Sequence, residues 1–207
     1  MSLASILNEF NASVAQCDNL IVNSHQTNIH GASLLPLLDR KQITVAAFLN
    51  AFIAWESFLE SSLIALMTGS PTLSGSNPVR FVSPPSPEAA RALIIGINRY
   101  FDHGNHENVR KIVNLFFQHG YPYEPHLSSI YSDLGDLRTM RNSSAHITST
   151  TQKALESLAL GILSLPAPNI DLYTLLTTVD PRSAGGDTVF LTYKNKLVAA
   201  AELIARG

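Results

Sequence analysis

The stretch Arg138-Thr139-Met140-Arg141-Asn142-Ser143-Ser144-Ala145-His146 gathers two arginines, an asparagine and a histidine close together in the chain. A guanidinium such as that of Arg141 can grip two non-bridging phosphate oxygens and balance the charge that grows on them in a displacement. An imidazole such as that of His146 titrates near neutral pH. It can take the proton from a ribose 2′-OH or return one to a leaving 5′-oxygen. Asn142 can fix the histidine tautomer or the scissile phosphate. The chemistry that suits this set is cleavage of an RNA phosphodiester, with no metal or other cofactor required. The same residues also suit a plainer role, capping a helix end by hydrogen bonds to its carbonyls, and spacing alone leaves both readings open.

Geometry limits how the three groups can meet. On a regular helix Arg141 and His146 are separated by about 140° of rotation, so one narrow face does not hold both. Asn142 and His146 lie one turn apart, and Arg138 and Arg141 form a short positive stripe. Convergence requires either that the helix end between Arg141 and His146 or that a second copy close the site across a two-fold axis.

The elements that must position this stretch read as helices throughout. Leu3, Ile6, Leu7, Phe10, Val14, Leu20 and Ile21 recur at helical spacing and predict an amphipathic helix over 3–24. His25 to Pro36 reads as a loop, in which His25 and His30 are expected to be solvated. The strongest helix is expected over 39–68, with Phe48, Phe52, Trp55, Phe58, Leu59, Leu63, Leu66 and Met67 as a core-facing stripe. Gly69 followed by Pro71 should end it. Glu56 and Glu60 share one face of it. Glu56 is either a solvated edge residue or an inward acid that holds a basic residue of the site.

Residues 69–87 carry too many prolines and glycines for a helix and predict an irregular excursion, with Arg80 as either a loop arginine that helps grip a polyanion or, the commoner case, one with no such role. Ser86 and Pro87 have the types of an N-cap and first helical residue, and the helix they open is expected to reach about Phe101. His103 and His106 sit in a glycine turn, and no cysteine or further histidine pair completes a ligand set, so no metal site is expected. Further helices are expected over 108–119, from about His126 into the signature, over 154–165, over 171–178 and over 187–205. The fold class that follows is all-α. Residues 1–165 would form an antiparallel helical bundle, and 166–207 a helical C-terminal extension packed on the same domain.

Bulk properties narrow the partners. Of 207 residues, 45% are hydrophobic and 14% charged, which supports a substantial core and a rather apolar surface suited to a homo-oligomer. The net charge of −2 excludes a globally basic nucleic-acid binder, so any RNA contact must be local. The single cysteine, Cys17, rules out an intramolecular disulfide and fits a reducing compartment. With no leader pattern and no long apolar run, a soluble cytoplasmic protein without a membrane span is expected.

Arg141-Asn142-Ser143-Ser144-Ala145-His146, at the end of a helix in an all-α chain, resembles the arginine–x4–6–histidine signature of the HEPN superfamily. The run Phe48-Leu49-Asn50-Ala51-Phe52-Ile53-Ala54-Trp55-Glu56-Ser57-Phe58-Leu59-Glu60 resembles the long helix with an internal glutamate of the RiboL-PSP-HEPN subgroup. The resemblance covers roughly residues 40–165. It implies a bundle that dimerises into one composite site and acts as a metal-independent endoribonuclease in a toxin or defence setting. Arg141 and His146 would be the catalytic pair, Asn142 their organiser and Glu56 a supporting acid, while Arg138 is a supporting residue on the strength of its spacing from Arg141 alone. A regulatory or antitoxin partner is also implied, although Thr148 stands where some such toxins carry a modifiable tyrosine. The alternative is a non-catalytic HEPN module that binds RNA, nucleotide or a protein.

Overall fold

The computed structural model describes residues 2–145 and 148–207. It is all-α: among the described residues there are nine α-helices and no strand, only isolated bridges. In chain order they are α1 (Leu3–Ser24), α2 (Leu37–Met67), α3 (Pro87–Ile95), α4 (His106–Phe116), α5 (Tyr123–Ser129), α6 (Tyr131–Ala145), α7 (Ser149–Leu163), α8 (Leu172–Thr177) and α9 (Val189–Arg206). Packing divides the chain into two compact units. The first takes residues up to Asn11, Ala54–Leu134 and Leu197–Gly207; the second takes Ala12–Ile53 and Gly135–Lys196. The segment after 165 is thus shared, with 166–196 in the second unit and the rest of α9 in the first.

The first unit is built on the C-terminal half of α2. Trp55 is fully buried, stacked with Phe58 at 5.8 Å and edge-on to Phe10 at 6.2 Å. Burying rings of this size contributes on the order of 1.5–3 kcal/mol each, and their pairing about 0.5–1.5 kcal/mol more. The stripe from Phe48 to Met67 is core, as its spacing predicts. By length and composition α2 would also pass for a membrane span, and half of its most apolar window is buried inside the fold. The helix closes on a Schellman motif: Gly69, at φ 102°, donates its N–H to the Leu66 carbonyl, and the Ser70 N–H reaches Ala65.

The excursion that follows is pinned to the unit. Arg80 is not a free loop arginine. Its Nη1 donates to the Met67 carbonyl at 2.8 Å, which satisfies an orphan acceptor of the α2 terminus. Leu73 N–H donates to Ala205 O at 2.8 Å, and Phe81 N–H to Phe116 O at 2.8 Å. Ser86 caps α3 by accepting from Ala89 N–H at 3.2 Å, with Pro87 in the first turn.

Helix α3 stops at Ile95, short of the expected Phe101, because Gly96 takes φ 60° and ends the ladder. Helix α5 begins at Tyr123 and not at His126. Pro125 fits its first turn, where a missing N–H costs nothing. The chain breaks again at Ile130 (φ −115°, ψ 22°), so the expected single helix into the signature is two.

In the second unit the buried face of α6 presents Leu137 and Met140, and α7 adds Leu155, Ala159 and Ile162. A hairpin-like clip before α9 is closed by Asp180 N–H to Asp187 O at 2.8 Å and Val189 N–H to Thr178 O at 2.9 Å. Lys194 of α9 donates to Asp18 of α1 at 2.7 Å.

Candidate functional site at the end of helix α6

A buried polar network sets the rotation of α6. Tyr193, almost wholly buried, donates its hydroxyl to Asp136 Oδ2 at 2.6 Å. Arg182 donates to that hydroxyl at 3.3 Å, and grips the fully buried Asp180 through Nε at 2.9 Å and Nη2 at 2.8 Å. The hydrogen bond from Arg182 holds the Asp180 carboxyl below the usual range. Burial first, and then the Asp136 partner, push the Tyr193 phenol upward, so it stays a neutral donor. With Asp136 turned inward, Arg138 and Arg141 lie about 200° and 140° around the helix from it.

Both arginines are accordingly exposed, one turn apart, and neither makes an ion pair among the described residues. Asn142 is half-buried beside them. Other arginines are committed: Arg80 to the α2 terminus, Arg91 to Glu60, Arg110 to Glu124 and Arg182 to Asp180. Helix α6 is described as far as Ala145. Ser143 Oγ donates to Met140 O at 2.7 Å and Ser144 Oγ to Arg141 O at 2.6 Å, tying up carbonyls near the end of the helix. Helix α7 then starts with a capping box: Thr148 Oγ1 accepts from Thr151 N–H, and Thr151 Oγ1 from Thr148 N–H. His146 lies outside the described residues.

The structure thus brings Arg138, Arg141 and Asn142 together on one helix end. Glu56 is placed in the first unit, on α2, where its carboxylate packs against Gly104 so closely that a Cβ there would collide with it. His106 is a core residue. It is buried, and its Nε2 accepts from Trp55 Nε1 at 3.4 Å. His103 lies edge-on to Phe101, and burial lowers its pKa. No cluster of potential metal ligands occurs among the described residues.

A cavity of about 310 Å³ opens beside the α6 terminus in the second unit. Ser143 and Ser144 line it from the signature, Lys41 and Val45 from α2, Gln152 from α7 and Tyr173 from α8. Lys41 pairs with Asp171, the N-cap of α8. Burial raises the Asp171 carboxyl, but hydrogen bonds from Lys41 and Thr174 outweigh it and hold the group below its ordinary value. His25 is not the solvated loop residue expected. Its Nδ1 lies 2.8 Å from Ile21 O at the end of α1, its Nε2 lies 3.2 Å from the Tyr173 hydroxyl, and the two rings stack at 5.8 Å.

Sequence reasoning missed this cavity. Lys41 and Asp171 come from distant parts of the chain, and neither sits in a pattern that marks it. Of its lining, only the short helix over 171–178 was legible, and its cap, Asp171, is seen only in the structure. Compared with protein-family models, curated proteins and solved structures, the chain has no match.

Proposed function

We propose that the protein is a HEPN-type endoribonuclease that cleaves RNA without a metal, with the signature Arg138–His146 as its reactive edge. The observation that carries this reading is the pair of exposed guanidinia, Arg138 and Arg141, one turn apart on the helix that bears the signature and without an ion pair among the described residues. Unneutralised positive charge one turn apart on a helix suits adjacent phosphates of a single strand.

In this mechanism a histidine takes the 2′-OH proton and the 2′-oxygen attacks phosphorus. The bond to the 5′-oxygen breaks, and that oxygen receives a proton. The products are a 2′,3′-cyclic phosphate and a 5′-hydroxyl. Arg141 bridges the two non-bridging oxygens, where charge accumulates. Asn142 orients the group beside it and Arg138 holds the neighbouring phosphate. One base and one acid are needed, so a homodimer that brings two copies of His146 to one phosphate supplies both.

Wild type, Arg141→Ala and His146→Ala proteins incubated with total RNA in excess EDTA test the proposal. Cleavage by wild type alone, leaving cyclic-phosphate ends, is the expected result. A strict need for added divalent cation, or undiminished cleavage by His146→Ala, refutes it. Intact RNA in every lane refutes it in favour of a non-catalytic binding module.

A further inference from the structure

We infer that the cavity beside the α6 terminus is a nucleobase pocket that takes a purine by its amino edge. The inference rests on the reading that Arg138 and Arg141 hold an RNA backbone, and adds which nucleotide is preferred.

The polar groups of the cavity are biased toward acceptance. Ser143 and Ser144 have donated their hydroxyl protons to Met140 O and Arg141 O, so only lone pairs remain. The Gln152 amide nitrogen donates to both Glu156 Oε1 at 3.2 Å and Ile170 O at 3.0 Å. Both partners accept, which fixes the amide orientation and leaves Oε1 as a further acceptor. The Lys41 charge is compensated by Asp171, so the cavity is no anion trap.

A ligand that satisfies these atoms is neutral and carries N–H donors. Its body must be flat and apolar enough for Val45, Leu155 and Leu172, with Tyr173 able to stack on it. The volume of about 310 Å³ lies at the small end of ligand pockets, suited to one ring system and not a whole dinucleotide. An amino-bearing purine meets these terms. Uracil suits them less, because its one N–H on that edge is flanked by two carbonyls that would face the lone pairs of Ser143, Ser144 and Gln152, and only Lys41 offers them a proton.

Position agrees with chemistry. Ser144 lies one turn beyond Arg141, about 4.5 Å along the helix axis. A single nucleotide spans that offset, so a phosphate on Arg141 delivers its base to the cavity mouth.

The test is equilibrium binding of short 2′-O-methyl oligoadenylate and oligouridylate, which lack the 2′-OH nucleophile and are not cleaved. Wild type should prefer oligoadenylate by at least about tenfold. Ser143→Leu, which fills the cavity, should abolish the preference while keeping the oligouridylate affinity. Val45→Trp fills it from α2 and replaces Ser143→Leu if that variant does not fold. Equal affinity of wild type for the two oligomers, no binding of either, or a preference that survives filling overturns the inference. Cleavage of unmodified RNA is scored separately. A preference without cleavage keeps the pocket and removes the nuclease; cleavage without a preference does the reverse.

Discussion

Replacing Arg138 and Arg141 together by alanine should weaken RNA binding without weakening the fold. Both side chains are exposed and free of ion pairs among the described residues, so their loss should change stability by no more than about 0.5 kcal/mol. Alanine is also the better helix former, which offsets part of any loss. Each phosphate contact on a single strand adds roughly 0.7 to the slope of log affinity against log salt. Removing two contacts should therefore flatten that slope by about 1.4, and each single variant by half as much. The assay is fluorescence anisotropy of a labelled 2′-O-methyl oligomer from about 50 to 200 mM salt, with thermal melts alongside. Arg91→Ala is the control, because its guanidinium is held by Glu60 and its removal should leave the slope unchanged. A double variant with the wild-type slope refutes the reasoning. So does a loss of more than about 2 kcal/mol of stability, which would make the guanidinia part of the fold.

Three further outcomes follow from the packing. Arg182→Ala strands the fully buried Asp180 carboxylate and should cost about 3 kcal/mol, the lower end for such pairs because the Arg182 side chain is 40% exposed; a melting temperature lowered by less than about 3 °C contradicts this. Hydrogen bonds from Arg110 and Arg182 hold Glu124 and Asp180 below their ordinary pKa values, so their stabilisation is complete above about pH 5 and is lost as pH falls through the lower folded values; melts that stay flat down to pH ~3 count against it. Ser62→Ala leaves the buried Tyr123 hydroxyl, which donates to Ser62 Oγ at 2.9 Å, without its acceptor and should cost about 1–3 kcal/mol; adding Tyr123→Phe should restore much of it, and a double variant no more stable than Ser62→Ala refutes the account.

The all-α architecture was readable because local rules and packing agree. The 3.6-residue spacing from Phe48 to Met67 is the buried face of α2, and Ser86 and Pro87 open α3 as their types dictate. Gly69 closes α2 because the motif that ends a helix needs positive φ there. Where the reading fell short, the deciding partner lies far away in sequence or carries no local mark. No glycine or proline announces the break at Ile130. Arg80 looks like a free loop cation until the end of α2 is seen to take its proton donors, and His25 looks solvated until Tyr173 stacks on it. At the candidate site, the neighbours Arg138, Arg141 and Asn142 on one helix end were legible. The cavity beside them was not, because Lys41, Gln152 and Tyr173 meet only through tertiary packing.

The segment order of the two units has a consequence in time. The first unit joins residues up to Asn11 with Leu197–Gly207, so its earliest segment waits until Leu197–Gly207 has been made. At synthesis rates of about 5–20 residues per second that delay is on the order of ten seconds or more. During it, the aromatic half of α2 has left the ribosome without the last helix turns that complete its unit. A nascent chain in that state is a natural client for a chaperone, and truncations that remove α9 should yield insoluble protein, not a smaller folded one.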